Sequence, residues 1–345
     1  MKGINKLKCN HFIFLLKALI FILTSCNDSN PVDGGGGIDP LLLFTAPYDT
    51  PVIHPNGKIV GFNHIPMLRI DTINHGLYKQ VFDTDSLGFW LINMDGTNMR
   101  RVLPYTLDTP DWSPDGKWIV FVKNANIYKM PFDENKMVFG TTQIIQLTFE
   151  GRNYFPSWSP DGKWIAYDSN RDSPNGMNFI WKMKSDGSDK TRIAYEPEKG
   201  EIREPSWSPD GSKIVHIRYS KDFNTDASEI VVMDENGNNV KRLTFNDYMD
   251  YYPKYSPDGS KIAFSSRVKG GLPQLVILDL SKNVIKILTS SGISEIFSWV
   301  PDGKKIVYPQ HNYNKWSYDN GVLWIIDIDT GNKKQLTFNP KPTYN

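Results

Sequence analysis

The hydrophobic and polar positions of the chain follow one pattern that recurs six times between residue 41 and the C-terminus. In each copy a bulky residue precedes a polar turn, and three consecutive apolar positions follow shortly after it. Three apolar residues in a row predict a short β-strand that is buried on both faces. The bulky residues before the turns are Ile53, Trp112, Trp158, Trp207, Tyr255 and Trp299.

The turn itself is Ser-Pro-Asp-Gly in four copies and a variant of it in the other two. Proline presets φ for the second position of such a turn, and glycine accepts the positive φ that closes the hairpin. The turn prolines are 59, 46, 49, 48 and 44 residues apart, so one period of about 47 residues covers the chain from residue 41 onwards. The six turns begin at His54, Ser113, Ser159, Ser208, Ser256 and Val300.

The strand after the turn carries an aliphatic position, then a small or β-branched one, then an aromatic one. In the fourth copy a histidine replaces the Phe or Tyr of this position, and we interpret that histidine as a packing residue. These six residues are Phe62, Phe121, Tyr167, His216, Phe264 and Tyr308.

Two further strand patterns complete each copy. An apolar run such as residues 229–233 (EIVVM) is followed by a corner and by a Leu-Thr-Phe or similar segment. Four strands in six copies give about 24 strands, and no helical periodicity competes with them. Units that bury both faces favour a closed ring, because an open stack leaves two apolar faces in water. The sequence therefore predicts an all-β fold, a six-bladed β-propeller of four-stranded antiparallel blades.

Two parts of this ring are irregular. The first interval between turns exceeds the period by about 12 residues, and we assign the excess to a long loop near residues 63–88. Residues 41–45 (LLLFT) and 334–338 (KQLTF) both fit the pattern of a fourth strand. The sequence leaves open whether the N-terminal segment pairs into the last blade.

The N-terminus has the pattern of a secretion signal. A basic head precedes an apolar run at residues 12–23, which is short for a membrane span. The run ends in Leu-Thr-Ser-Cys26, which resembles the lipobox of bacterial lipoproteins and implies acylation of Cys26. A plain signal peptide with an incidental cysteine is the alternative. We expect a signal peptide at 1–25, a flexible Gly-rich tether at 26–40 and the propeller at 41–345.

Charge and cysteine content exclude some classes of protein. The chain has 39 Lys and Arg against 38 Asp and Glu, so no basic excess exists to bind nucleic acid. Its two cysteines, Cys9 and Cys26, are too few for a disulfide framework. We expect a monomeric lipoprotein facing the periplasm or cell surface, held at the outer membrane through its N-terminal lipid only.

The repeated segment resembles a known family. Trp-Ser-Pro-Asp-Gly-Lys-x-Ile-Ala-Tyr, with Met-Asp-Gly and Leu-Thr-Phe between copies, is similar to the repeat of TolB-type propellers, which relatives of prolyl oligopeptidase share. The resemblance implies a periplasmic protein that binds partners through loops at one mouth of the propeller. The α/β domain that precedes the propeller in TolB has no counterpart in the roughly 15 residues between Cys26 and the first blade.

Enzymatic alternatives find little support in the residues. No Gly-x-Ser-x-Gly hydrolase motif occurs in the sequence. Oligogalacturonate lyases resemble this repeat and use metal-bound histidines, but the histidines here lack short metal-ligand spacings. We interpret His54 as a surface substitution in its turn, and we place His64, His75 and His311 in loops. The sequence favours no catalysis and no cofactor or metal, with a metal-dependent oligosaccharide lyase as the alternative.

Candidate binding residues lie on loops that the fold brings to one mouth of the channel. Mixed charge with aromatics favours a protein partner over a sugar. The loops that join strand four to strand one carry Asp49, Asp108, Arg152, Tyr154, Glu201, Arg203, Glu204, Asp250, Tyr251 and Glu295. The loops that join strands two and three carry Arg171, Tyr313 and Trp316. The sequence thus predicts a protein-binding or scaffold module.

Overall fold

The computed structural model describes residues 48–73, 77–195, 200–219, 227–268, 271–289, 296–310 and 321–338. These residues form six antiparallel blades on a four-stranded plan, in which the strands follow one another in chain order apart from insertions in blades 1 and 2. The first strand of one blade packs against the first strand of the next around most of the ring, so these inner strands line a central channel. The predicted fold class, a six-bladed propeller with 24 blade strands, is confirmed.

Blades 1 and 2 carry the additions to the common plan. A β-hairpin, β3 and β4, is inserted between the second and third strands of blade 1. Blade 2 has an extra short strand, β10, beside β9, and a 3-10 turn at Thr141–Gln143. The strands are β1 (Tyr48–Ile53), β2 (Ile59–His64), β3 (Met67–Ile73), β4 (Leu77–Phe82), β5 (Gly88–Asn93), β6 (Arg100–Leu103), β7 (Asp108–Trp112), β8 (Trp118–Lys123), β9 (Asn126–Asp133), β10 (Val138–Phe139) and β11 (Ile145–Gln146).

Blades 3 to 6 follow the plan without additions in the described residues. Blade 3 comprises β12 (Asn153–Trp158), β13 (Trp164–Ser169), β14 (Phe179–Lys184) and β15 (Thr191–Arg192). Blade 4 comprises β16 (Ile202–Trp207), β17 (Lys213–Tyr219), β18 (Ser228–Asp234) and β19 (Lys241–Arg242). Blade 5 comprises β20 (Asp250–Tyr255), β21 (Lys261–Ser266), β22 (Gln274–Asp279) and β23 (Val284–Ile287). Blade 6 comprises β24 (Ser298–Trp299), β25 (Lys305–Gln310), β26 (Val322–Asp327) and β27 (Lys333–Gln335).

The predicted long loop near residues 63–88 is largely wrong. Residues 67–73 and 77–82 form the paired strands β3 and β4, and among the described residues only short connections on either side lack strand structure. The hairpin pairs with itself as a two-stranded sheet, which extends from blade 1 without joining its ladder. The excess length therefore forms an ordered projection between β2 and β5.

The ring closes by packing between blades 1 and 6. Residues of β1 and β2 share one apolar cluster with residues of β25 and β26. The Tyr48 backbone N–H also donates to the Gly321 carbonyl at 3.2 Å. Strand β27 supplies the fourth strand of blade 6, as the pattern at 334–338 predicts, while residues 41–45 lie outside the described residues.

The six turns form a second closed circle at one end of the channel, which we call the turn ring (residues 54–57, 113–116, 159–162, 208–211, 256–259 and 300–303). Each turn glycine lies against the turn of the preceding blade. A Cβ at Gly162 would lie 3.8 Å from Pro114 Cδ, and one at Gly57 would lie 3.7 Å from Pro301 Cδ. The turn glycines have φ values of 69° to 73°, a region that favours glycine. Glycine therefore satisfies both the turn and the contact between blades.

Candidate functional site

The opposite end of the channel, where the inner strands begin, carries the candidate site. One register position there holds a charged or aromatic residue on five successive inner strands, and we call these five residues the channel mouth. They lie two positions before a proline that the inner strands share. The channel mouth consists of Asp49, Asp108, Tyr154, Arg203 and Tyr251.

A β-bulge follows each channel-mouth residue. The residue between it and the proline has a positive φ, and this residue and the proline together oppose one residue of the second strand. A left-handed residue directly before proline is disfavoured, so the surrounding fold must hold it in place. The five bulge residues are Thr50, Thr109, Phe155, Glu204 and Tyr252.

Arg203 is the best-anchored charge of the channel mouth. Its Nε donates to Oδ2 of buried Asp168 at 3.4 Å, and its guanidinium carbon lies 5.8 Å from the Tyr154 ring and 5.5 Å from the Phe155 ring. Burial lowers the pKa of Arg203, but the nearby carboxylates, with Asp168 the largest contributor, outweigh it and raise the pKa. Within the described part of the chain, its two Nη atoms have no hydrogen-bond partner. These N–H groups are therefore available to a ligand.

Asp168 of blade 3 connects Arg203 of blade 4 to blade 3. The carboxylate accepts the Glu204 backbone N–H at 3.2 Å and the Asn178 Nδ2–H at 3.3 Å. Burial raises the pKa of Asp168 to about 7, against the opposing charge of Arg203. Because Asp168 lies in blade 3 and Arg203 in blade 4, this carboxylate fixes the guanidinium across a blade junction.

Two bulge residues meet inside the channel. The rings of Phe155 and Tyr252 have centroids 5.6 Å apart, although they belong to blades 3 and 5. Blade 4 separates those blades, so the rings reach each other across the channel. The Glu204 carboxylate accepts the Tyr252 backbone N–H at 2.6 Å and holds that bulge to blade 4. The Arg203 side of the mouth is therefore backed by an aromatic pair.

The side of the mouth at blades 1 and 2 is acidic. Asp108 keeps an accessible side chain, yet the enclosing protein raises its pKa to about 6, and the carboxylate of nearby Asp49 adds to the rise. Asp49 also accepts the Thr50 backbone N–H at 2.7 Å. The mouth therefore has a carboxylate side and a side of arginine and aromatic rings.

A second charged pair lies deeper in the channel. Asp111 of blade 2 accepts the Trp158 backbone N–H at 2.8 Å, and burial raises its pKa to about 6, opposed first by the charge of Lys254. Burial lowers the pKa of Lys254 in blade 5, opposed by Asp111. Blades 2 and 5 stand opposite each other in a ring of six, so these charges face each other across the axis.

Several predicted residues are less accessible than their positions in the sequence indicated. Asp250 is fully buried, and its carboxylate accepts the hydroxyl of Ser266 at 2.6 Å and the amide of Asn246 at 3.1 Å. The channel-mouth residue Tyr251 is 7% exposed. Glu201 is half-buried, and its carboxylate accepts the Asn178 backbone N–H at 2.9 Å. These side chains therefore offer little surface to a partner.

The two other described arginines of the prediction lie outside the inner strands, Arg152 directly before β12 and Arg171 after β13. Arg152 is exposed, and its backbone N–H donates to Asn170 Oδ1 at 2.7 Å. Arg171 pairs with Glu150 at 3.1 Å and lies 5.2 Å above the Trp181 ring of the third strand. The remaining predicted residues lie outside the described residues. These are Glu295, Tyr313, Trp316 and the lipidation site Cys26.

The described histidines do not converge. His54 is 2% exposed and its Nε2 lies 3.1 Å from the Gly116 carbonyl, so its interpretation as a surface residue was wrong. His64 ends strand β2 and stacks on Tyr48 at 4.5 Å, so its predicted loop position was wrong too. His216 is buried in blade 4 at the aromatic position. Among the residues that the structure describes, no group of three or more His, Cys, Asp or Glu side chains could hold a metal.

Sequence reasoning did not single out Asp168, Asp111, Lys254 or the bulge residues other than Glu204. A signal for the bulges was present, because a proline stands two residues before the bulky strand end in five copies. These prolines are Pro51, Pro110, Pro156, Pro205 and Pro253. No comparable local pattern marks Asp168, because its role depends on the neighbouring blade.

Comparison with protein families agrees with this architecture. The family model of the TolB beta propeller domain matches residues 203–341, and that of the dipeptidyl peptidase IV N-terminal region matches residues 83–195. The Tol-Pal system protein TolB of Ruegeria sp. (strain TM1040) is 28% identical over 129 residues, which are 37% of this chain and 28% of that protein. TolB of Desulfosudis oleivorans is 36% identical over 75 residues, 22% of this chain and 17% of that protein. The matched segments thus span less than a third of these relatives.

Solved structures extend the similarity to most of the ring. TolB from Acinetobacter baumannii has a TM-score of 0.61 and 25% identity, covering 84% of this chain and 65% of that chain. An oligogalacturonate lyase in complex with manganese has a TM-score of 0.54 at 14% identity, covering 84% and 78%, which shows the fold alone. The chain therefore contains a TolB-like β-propeller. None of the described helical segments is long and apolar enough to cross a membrane.

Proposed function

We propose that this chain is an extracytoplasmic scaffold that binds a protein partner at the channel mouth. The observation that carries the proposal is the state of Arg203, whose guanidinium is fixed by Asp168 and flanked by two rings while its Nη atoms lack partners in the described residues. Arginine beside aromatic side chains is typical of the residues that dominate protein interfaces. The similarity to TolB supports a binding role over a catalytic one.

The rigidity of the site supports binding of a preformed partner surface. Glu204 and Asp168 fix the bulges of blades 4 and 5 through backbone N–H groups, so the mouth is held by main-chain contacts. A site that is already ordered loses little conformational entropy when it binds. The carboxylates of Asp49 and Asp108 on the other side give the surface an orientation, because a partner must present opposite charges to the two sides.

Affinity capture tests the proposed site. Tagged wild-type protein from detergent-solubilised membranes is compared with Arg203→Ala and Tyr154→Ala. Lys163→Ala serves as a control, because Lys163 is exposed and follows the turn ring at the opposite end of the channel. We expect each mouth variant to lower the affinity for the captured partner by about 30-fold, the loss typical of a binding hot spot. Capture of the same proteins by all four forms would reject the mouth as the site.

We also propose that acylated Cys26 attaches the chain to a membrane. The proposal rests on the lipobox-like sequence and the Gly-rich segment that follows it. A single acyl chain binds a membrane only marginally and stable anchoring takes two signals, so the proposal requires more than one lipid chain on Cys26. Cys26→Ser should move the protein from the membrane to the soluble fraction and abolish labelling by a fatty-acid analogue. A membrane-bound Cys26→Ser variant would contradict the anchor while leaving the mouth proposal intact.

A further inference from the structure

Five of the six blade junctions are filled by the same pair of side chains. The aromatic residue of the second strand shares an apolar cluster with a leucine at the end of the preceding blade. All five rings are at most 2% exposed, so each of these junctions is closed to water at the aromatic position. The pairs are Phe121 with Leu103, Tyr167 with Leu147, Phe264 with Leu243, Tyr308 with Leu288, and Phe62 with Leu336.

The junction between blades 3 and 4 departs from this plan at two positions. His216 stands where the other blades have phenylalanine or tyrosine, and Ala194 stands where Thr148, Thr244, Thr289 and Thr337 each accept a backbone N–H. Both substitutions remove side-chain volume from the same junction. A cavity of about 210 Å³ lies there, lined in part by Ile193, Ala194, Ile202, His216 and Met233.

We propose that this cavity binds a single aromatic ring of phenyl or phenol size. It adjoins the position that an aromatic ring fills at the five other junctions, so the local backbone geometry is already suited to one. Half of its eight lining residues are aliphatic, the remainder of the lining offers polar atoms that suit a phenol hydroxyl, and the Met233 side chain is a favourable neighbour for a ring. An apolar cavity of about 150 Å³ is enough to take up benzene in another protein, so the volume suffices.

The cavity is accessible from outside. Two of its lining residues, Tyr195 and Val240, are 40% and 44% exposed, so they form a rim in contact with solvent. The Arg192 guanidinium carbon lies 3.9 Å from the centre of the Tyr195 ring and holds that side chain at the rim. A ring can therefore enter beside Tyr195 without opening the blade junction. The site shares no residue with the channel mouth.

Titration with p-cresol, the side chain of tyrosine, tests the proposal. We expect saturable binding at millimolar concentration or below. Calorimetry and the NMR shifts of the Met233 methyl group measure this binding. The His216→Phe variant restores the residue of the other junctions and should weaken binding by roughly tenfold or more, with a higher melting temperature. No saturable binding to the wild type, or equal binding to His216→Phe, would overturn the proposal.

A reciprocal variant and a second ligand sharpen the result. Phe264→His removes the ring at the junction of blades 4 and 5 and should lower the melting temperature. In the double variant His216→Phe with Phe264→His, p-cresol binding should move to the new junction; retained Met233 shifts would count against the site.

Comparing p-cresol with a short peptide that contains one tyrosine distinguishes two sources of the aromatic ring, a free small molecule and a side chain of a partner protein. Tighter binding of p-cresol indicates a free aromatic ligand, and tighter binding of the peptide indicates a partner side chain.

Discussion

The turn ring and the channel mouth lie at the two ends of the same inner strands, yet their aspartates behave in opposite ways. In the turn ring, the hydroxyls of Ser159, Ser208 and Ser256 each donate to the aspartate two residues later at 2.6 Å. These hydrogen bonds lower the pKa of Asp210 and Asp258 to about 2. The aspartates there stabilise the turns as charged groups.

Inside the channel and towards its mouth, buried aspartates have too few hydrogen bonds and too little nearby positive charge to offset their burial. Burial raises the pKa of Asp111 to about 6 and that of Asp168 to about 7. The turn ring repeats nearly the same residues and hydrogen bonds from blade to blade. At the channel mouth, by contrast, the residue at one equivalent strand position differs between blades. The contrast teaches that the fold is maintained at the repetitive end, which leaves the residues at the other end free to serve recognition.

The largest expected loss of stability comes from a mutation at one end of strand β12, and a mutation at the other end should have a much smaller effect. Trp158, next to the turn ring, is 7% exposed and packs in the cluster between blades 2 and 3. Trp158→Ala should cost about 3 to 5 kcal/mol in the free energy of unfolding, because it leaves a cavity between blades. Tyr154→Ala, at the mouth end, should cost about 1 kcal/mol. Urea denaturation measures both, and similar losses would remove the distinction between the ends.

A second test compares two glycines of the turn ring with nearly the same backbone. Gly116 and Gly162 have φ of 69° and 70°, but a Cβ would lie 2.4 Å from His54 Nε2 at Gly116 and 3.8 Å from Pro114 at Gly162. Gly162→Ala should cost about 1 kcal/mol through backbone strain. Gly116→Ala should cost at least about 1 kcal/mol more, because it displaces the buried contact of His54 with the Gly116 carbonyl. Equal losses in thermal unfolding would show that His54 moves freely.

The third test uses pH, to which the two ends respond in opposite directions. The lowered pKa of Asp210 and Asp258 means that their stabilisation, complete above about pH 4, is lost as pH falls toward 2. The raised pKa of Asp111 and Asp168 means that stability is highest below about pH 4 and falls as pH rises to 6 or 7. Urea midpoints across this range should therefore decline on both sides of a maximum.

Variants assign each side of that pH profile to one end of the channel. Asp111→Asn should flatten the decline between pH 4 and 6, because the group no longer loses a proton on unfolding. Ser208→Ala removes the first hydrogen bond that lowers the pKa of Asp210 and should reduce the decline below pH 4. If Asp111→Asn leaves the decline above pH 4 unchanged, the carboxylate of Asp111 in the channel does not control it.

The sequence allowed prediction of the blades but only part of the site. A bulky residue such as Trp158, followed by the turn or a variant of it, recurs in all six copies, so spacing alone identified a strand end and a corner. Arg203 and Tyr154 were predicted because their segments reach one mouth of the channel; the structure places both there, on inner strands and not in loops, and their binding role stays a prediction. Asp250 was chosen on the same ground, but it begins strand β20 and faces Ser266 and Asn246 inside the protein. A position near the mouth in the sequence therefore does not reveal whether the side chain points outward.

By itself, the sequence determined the number of blades, the four-strand plan and the position of each turn, because these follow from residue types that recur at a fixed local spacing. Only the tertiary structure decided which side chains meet across blades, such as Phe155 with Tyr252 and Asp168 with Arg203. Those partners belong to different copies and carry no local pattern. The closure of the ring brings them together, because packing between blades fixes distances that spacing along the chain does not.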